Sequence, residues 1–155
     1  MPDRIKMMVA VDLSDYSAII VNYSVWLATQ LDAELVLVNV INQRDLDMVQ
    51  RAMIGYEAFS YPTYLADQEQ ERESKMKELT ATAQTELNCR YVVRCGVPYH
   101  ELLDAIEAEN VQMVVVGTKG RSNLADVIVG STARKLYRRS PVPLLTIPAG
   151  FETIP

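Results

Sequence analysis

Three glycines and two hydroxyl residues in the C-terminal part of the chain have the types and the spacing of an anion site. Gly117 and Gly120 follow a short apolar run, and Gly130 is followed at once by Ser131 and Thr132. Because glycine lacks a Cβ atom, a ligand can approach its backbone closely. A helix beginning at Ser131 would present free N–H groups at the positive end of its dipole. The combination favours phosphate binding, whereas each piece alone is typical of a turn or a helix cap.

Two widespread phosphate-binding signatures are absent from the sequence. No glycine is followed by lysine and then by serine or threonine, which the P-loop requires. The first apolar run leads into Asp12-Leu13-Ser14 without the closely spaced glycines of the dinucleotide fingerprint. The glycines and hydroxyls therefore indicate a different kind of phosphate site.

The pattern Gly117-x-x-Gly120, nine residues, Gly130-Ser131 resembles the nucleotide-binding signature of the universal stress protein family, ATP-binding type. The resemblance covers essentially the whole chain. It implies an adenine nucleotide (ATP, AMP or ADP), with or without Mg²⁺. It also implies that the backbone of Val40 contacts the adenine and that Val116 lies beside the phosphates. Members of the family usually form homodimers, often through the last strand.

The residues themselves suggest the remaining roles. We expect Gly120, Gly130, Ser131 and Thr132 to hold phosphates, and Gly117 to allow a ligand close to the end of a strand. Without a cation Asp12 does not favour phosphate, so the ribose hydroxyl groups are its expected partner. A helix cap is the alternative role for this carboxylate.

Apolar runs alternate with helical patterns along the chain. The predicted strands are Lys6–Val11, Glu34–Ile41, Arg90–Cys95, Val111–Val116 and Val142–Ile147. The first predicted helix is capped by Ser14 or Asp15 and ends at Leu31. The other predicted helices are Tyr64–Leu87, Pro98–Glu109 and Ser131–Arg139. Strands that are apolar throughout are typical of a parallel sheet that is buried on both faces.

The alternation predicts an α/β fold, namely a five-stranded parallel sheet of order 3-2-1-4-5 with helices on both faces, which is Rossmann-like. Ligands of such sheets bind outside the carboxyl ends of the strands, where the strand order reverses. Asp12 follows the first strand and Gly117 ends the fourth, so both should lie at that reversal. Pro141 and Pro143 make the last strand an edge strand, whose free hydrogen-bonding groups suit a dimer.

Composition limits the classes of function. A length of 155 residues predicts one domain, residues 1–155, and a net charge of −5 disfavours nucleic-acid binding. Cys89 and Cys95 would lie about 20 Å apart on an extended segment, too far for a disulfide. One histidine gives no zinc site, and no apolar run is long enough for a membrane span. We expect a cytoplasmic protein with reduced thiols.

Residues 42–63 show little periodicity, and we expect a partly ordered flap near the site or part of a partner interface. The charge run after Tyr64 is interpreted as the solvated face of a helix, with Glu71–Lys75 and Glu73–Lys77 as i,i+4 pairs.

The resemblance implies that the protein is an adenine-nucleotide-binding stress-response or signalling module. We find no catalytic residue and no metal ligand set, so ATP hydrolysis should be slow at most, and Asp12 and Asp126 are the carboxylates to test. The alternative is a protein-interaction module of the same fold with an empty pocket. An adenylating enzyme of the related α-hydrolase type would need a substrate domain, for which the chain has no room.

Overall fold

The computed structural model describes residues 3–83, 87–118, 131–148, 150–152 and 154–155. The strands in these ranges are β1 Lys6–Ala10, β2 Glu34–Asn42, β3 Cys89–Gly96, β4 Met113–Gly117 and β5 Leu144–Ile147. The helices are α1 Ser17–Leu31, α2 Gln43–Ala52, α3 Tyr61–Thr82, α4 Pro98–Ala108 and α5 Ser131–Arg139.

The five strands form one parallel sheet in the order β3-β2-β1-β4-β5, which confirms the predicted topology. The central strand is β1, where Met7 is paired with Leu35 on one side and with Met113 on the other. The chain therefore winds outwards to β3 and then returns to the far side of β1. β5 lies at an edge of the sheet, as the prolines before it predicted.

Successive side chains of each strand point to opposite faces of the sheet, and each face has its own core. Met7, Leu35 and Val115 pack on the face covered by α1 and α3. Met8 and Val114 pack on the other face, against residues of α4 and α5: Leu102, Ala105, Ile106, Ala133 and Leu136. Burial on both faces explains why the strands are apolar throughout.

Residues 42–63 are more ordered than the sequence predicted, because α2 and the start of α3 occupy much of this segment. The side chain of Asn42 accepts a hydrogen bond from the N–H of Arg44 and caps α2, and Ser60 caps α3 in the same way. Leu46 is the only residue of α2 that is buried. The segment therefore contains α2 and the start of α3, and its role as a flap near the site or as part of a partner interface stays a prediction.

Several element boundaries also differ from the predicted ones. α1 begins at Ser17 rather than after a Ser14 or Asp15 cap, and its N-cap, Tyr16, makes no side-chain capping bond. α3 begins and ends earlier than predicted, and β5 begins at Leu144 because Val142 bonds to the Ser140 hydroxyl instead of a strand. No helix in the described part of the chain is long and apolar enough to cross a membrane.

Candidate functional site

A cavity of about 540 Å³ opens at the carboxyl ends of β1, β2 and β4. This position is the reversal of strand order between β1 and β4, where open α/β sheets bind ligands. Its described lining comes from the sheet and from the helices around it: Ala10, Val11, Asp12, Ile20, Val38, Asn39, Val40, Asn42, Asp45, Arg72, Pro98, Leu102, Val116, Gly117, Ser131, Thr132 and Ala133.

The cavity brings together every predicted site residue that the structure describes. These are Asp12, Val40, Val116, Gly117, Ser131 and Thr132. Gly120 and Gly130 lie outside the described residues. Segments that are far apart in the chain thus meet at one place, as the topology required.

One end of the cavity is formed by the first turn of α5 beside the end of β4. Ala133 and Leu136 are buried and pack α5 against the sheet. The N–H of Thr118 donates to the carbonyl of Ile147 at 3.0 Å, which continues the β4–β5 pairing past Gly117. The start of α5, with two hydroxyl residues, therefore lies beside the strand end, and its dipole favours an anion there. We call this the phosphate end.

Asp12 lies between the two ends of the cavity and has a local structural role as well. Its Oδ1 accepts hydrogen bonds from the N–H of Ser14 at 3.0 Å and from the hydroxyl of Ser17 at 3.2 Å. These bonds organise the turn that leads into α1, in which Leu13 has a positive φ of 61°. The same residue lines the cavity. The carboxylate is thus oriented by the turn before α1, while it lines the ligand space. It is not the helix cap itself, because the N-cap of α1 is Tyr16.

The other end of the cavity depends on a buried amide that the sequence analysis did not select. Asn39 is 1% exposed in the middle of β2. Its Nδ2 donates to the carbonyl of Val11 at 2.7 Å, and its Oδ1 accepts from Nη1 of Arg72 at 2.9 Å. All three residues line the cavity, and we call this network the base end. A lone amide in an apolar strand was the available signal, because buried polar groups need partners.

Arg72 belongs to the charge run of α3, only part of which is a solvated face. Glu71 and Lys75 form an exposed ion pair at 2.9 Å, which lowers the pKa of the Glu71 carboxyl, and Glu73 pairs with Lys77 at 3.3 Å. These pairs are confirmed as predicted. Arg72 instead turns inwards to Asn39. The periodicity of alternating charges could not distinguish this inward arginine from its neighbours.

The described lining of the cavity offers little for acid–base or nucleophilic chemistry. Its carboxylates are Asp12 and Asp45, and it contains neither histidine nor cysteine. No group of three or more metal-ligating side chains is present among the residues with described positions. Cys95, near the base end, has a thiol 3.9 Å from Glu69, and burial together with this carboxylate raises the pKa of the thiol. A protonated thiol is a poor nucleophile.

The comparisons with known proteins agree with this fold. The chain is 27% identical over 144 residues to the universal stress protein YxiE of Bacillus subtilis, covering 92% of this chain and 97% of that protein. The solved structure of MJ0577 from Methanocaldococcus jannaschii matches with a TM-score of 0.75 at 20% identity, covering 92% of this chain and 94% of that one.

Some structural neighbours contain a nucleotide. A universal stress protein in complex with cAMP matches with a TM-score of 0.65 at 18% identity, covering 96% of this chain and 100% of that one. The universal stress protein from Archaeoglobus fulgidus in complex with dAMP matches with a TM-score of 0.60 at 15% identity, covering 95% of this chain and 99% of that one.

The profile of the Universal stress protein family matches residues 4–148. Since this match spans nearly the whole chain, the protein belongs to the Universal stress protein family.

Proposed function

We propose that the protein binds an adenine nucleotide in the cavity at the sheet reversal and acts as a nucleotide-dependent stress-response or signalling module. One observation carries the proposal: Asp12, Val40, Val116–Gly117 and Ser131–Thr132 come from separate segments and line one cavity. A volume of about 540 Å³ lies within the range of small-molecule sites. Neighbours of the same fold that contain cAMP and dAMP support the adenine assignment.

The ligand would lie across the cavity with its phosphates at the start of α5. Ser131, Thr132, Gly120 and Gly130 would hold the phosphates, and Gly117 and Val116 would contact them along the strand end. Asp12 would accept hydrogen bonds from the ribose hydroxyl groups. The backbone of Val40 would contact the adenine, with Arg72 beside it at the base end.

The same arrangement limits the proposed chemistry. The described lining holds neither histidine nor cysteine, and its carboxylates are Asp12 and Asp45, so hydrolysis should be slow at most. If Mg²⁺ accompanies the nucleotide, it would be held by the phosphates and by one or two carboxylates, for which Asp12 and Asp45 are available. Titrations with and without Mg²⁺ test this point.

The first experiment is a calorimetric titration of the nucleotide-stripped protein with ATP, beside Gly130→Val and Gly150→Val. Micromolar binding corresponds to about −8 kcal/mol. We expect the wild type to bind and Gly130→Val to lose binding, because a bulky side chain would block close approach of the phosphates. At Gly150 an added Cβ meets nothing within 4 Å, so its variant should bind as the wild type does. Failure of the wild type to bind at millimolar ATP would reject the proposal.

An interaction module with an empty cavity is the second candidate, and a surface feature favours it. Met48, Ile54 and Tyr56 on and after α2 are 58%, 77% and 65% exposed, which is a large apolar surface for one short segment. This candidate takes the lead if no adenine nucleotide binds, and a partner should then depend on these side chains.

We also propose that residues 1–155 form a single cytoplasmic domain that dimerises through β5. Leu144–Ile147 form an edge strand, and Thr146 is its exposed residue. Charged side chains on an edge oppose strand pairing, so Thr146→Lys should convert a dimer to a monomer in sedimentation velocity. A wild type that sediments as a monomer would exclude this interface.

A further inference from the structure

A groove of about 620 Å³ continues from the phosphate end of the cavity. The two spaces share Asn42, Pro98, Ser131 and Thr132 in their linings. The first space is already large enough for a nucleotide, so the groove is additional ligand space rather than part of the same site. A ligand that leaves the phosphate end in this direction enters the groove.

The described lining of the groove contains three cations although the chain as a whole carries a net charge of −5. Arg44 and Arg51 lie seven positions apart on one face of α2, and Lys135 lies one turn after Ser131 on α5. Among its described residues the groove has one carboxylate, Asp47, which accepts a hydrogen bond from Gln43 at 2.9 Å. The local excess of positive charge attracts an anion.

These cations are available to a ligand. Within the part of the chain that the structure describes, no ion pair joins Arg44, Arg51 or Lys135 to a carboxylate. The ammonium group of Lys135 lies over the ring of Tyr99, 4.4 Å from its centroid, which positions the charge at the groove. An approaching anion therefore has no internal ion pair to break there.

A second helix start adds to the positive potential. α4 begins at Pro98 beside the groove, and its N-cap, Val97, makes no side-chain capping bond. Glu101 in its first turn is bound to Arg94 at 2.8 Å. The first turns of α4 and α5, at the positive ends of their dipoles, thus flank the same space as the three cations.

We propose that the groove is a second anionic subsite, which binds the part of a nucleotide's phosphate chain that extends past the third phosphate. The ligand class is an adenine nucleotide with four or more phosphates, either with a free end or with a second nucleoside. This inference rests on the proposed adenine-nucleotide function. Arg44, Arg51 and Lys135 determine the preference for the longer chain.

The test compares ATP, adenosine 5′-tetraphosphate and diadenosine tetraphosphate by calorimetry at one fixed salt concentration. The protein variants are Arg51→Gln and Lys135→Gln, with Arg138→Gln as the matched control. Arg138 is exposed on the same helix as Lys135 and lines neither space. The three positions are on the surface, so the variants should fold, and urea unfolding checks this.

We expect the wild type to bind the tetraphosphate about tenfold more tightly than ATP, since several exposed charge pairs each contribute a small factor. Arg51→Gln and Lys135→Gln should each weaken tetraphosphate binding about threefold, with little change for ATP, and Arg138→Gln should change neither. If diadenosine tetraphosphate shows the same gain in affinity over ATP, the result supports a ligand with a second nucleoside. A gain confined to the tetraphosphate supports the free-ended chain.

Two results would overturn the inference while leaving the proposed function intact: equal affinity for ATP and both longer ligands, or an equal loss in Arg138→Gln. If ATP and the longer ligands all fail to bind, the proposed function fails, and this inference fails with it. If only the tetraphosphate binds and the groove variants weaken it, the subsite is supported and the ATP assignment is the part to revise.

Discussion

The phosphate end and the base end of the cavity are built in different ways. The phosphate end joins Val116–Gly117 at the end of β4 to Ser131–Thr132 at the start of the next described element, α5. The base end joins Val11, Asn39 and Arg72, with sequence separations of 28 and 33 residues. One end uses backbone groups and small hydroxyls at a helix start, and the other uses a buried side-chain network.

Because of this difference, we expect the phosphate end to govern affinity for nucleotides, and the base end to govern selectivity and the stability of the fold. A helix start recognises any phosphate, because its N–H groups and dipole act on charge alone. A buried network is costly when it is broken, because the remaining polar groups are left without partners. We therefore expect changes at the phosphate end to weaken all nucleotides alike, and changes at the base end to affect folding and the choice of base.

The largest effect should come from breaking the base end with Asn39→Leu. The substitution leaves the carbonyl of Val11 and the guanidinium of Arg72 without their amide partner. We expect the free energy of unfolding to fall by about 2 kcal/mol, measured by urea denaturation as a single transition. Ser24→Ala removes a buried hydroxyl that bonds within α1 and should cost about 0.5 kcal/mol or less. Equal losses of unfolding free energy in the two variants would mean that the Asn39 network stabilises the fold no more than a single hydroxyl within a helix does.

The second-largest effect should be a loss of nucleotide affinity when the phosphate end is changed by Thr132→Val. Loss of the hydroxyl should weaken ATP and GTP by the same factor of about ten, because hydrogen bonds to charged groups are the stronger class. Calorimetry with both nucleotides measures the two factors. Thr82→Val, an isosteric change near the end of α3 and away from the cavity, is the control. If only the affinity for ATP fell, the phosphate end would also contribute to recognition of the base.

A smaller effect is expected at the base end from Arg72→Met. This change keeps the length of the side chain but removes the charge and the hydrogen bond to Asn39. We expect the ratio of ATP affinity to GTP affinity to change by about fivefold, since the guanidinium lies where the base is proposed to bind. Competition binding with the two nucleotides tests it. An unchanged ratio would assign Arg72 to the support of Asn39 only.

The smallest effect should appear at Cys95, which lies near the base end beside Glu69. Burial and the Glu69 charge favour the neutral thiol and raise its pKa, so the reactive thiolate forms at higher pH than in a free cysteine. In Cys89→Ser, alkylation of Cys95 at pH 8 should be about threefold slower than for a cysteine peptide, and it should accelerate as the pH rises further. Mass spectrometry over pH 7–10 measures the rates. A rate equal to that of the peptide at pH 8 would contradict the assigned environment.

The sequence alone determined the sheet and predicted the residues that line the phosphate end. Apolar strands separated by helical patterns allow few parallel arrangements, and the order β3-β2-β1-β4-β5 follows from right-handed crossovers. Gly117, Ser131 and Thr132 were identifiable because helix starts and strand ends are local features of neighbouring residues. The edge position of β5 was predicted from Pro141 and Pro143, and the position of Asp12 from the predicted reversal of strand order.

Only the tertiary structure decided the base end, α2 and the groove. Nothing local distinguishes Arg72 from the other charged residues of α3, since its role depends on Asn39 in a distant strand. α2 has one buried residue, Leu46, so it lacks the broad apolar stripe that is typical of a helix packed on a core. The cations Arg44, Arg51 and Lys135 are scattered along the chain, and they line one groove because α2 and α5 follow strands that end at the same edge of the sheet. Local patterns specify elements, whereas charge and hydrogen bonding across elements depend on the packing that brings them together.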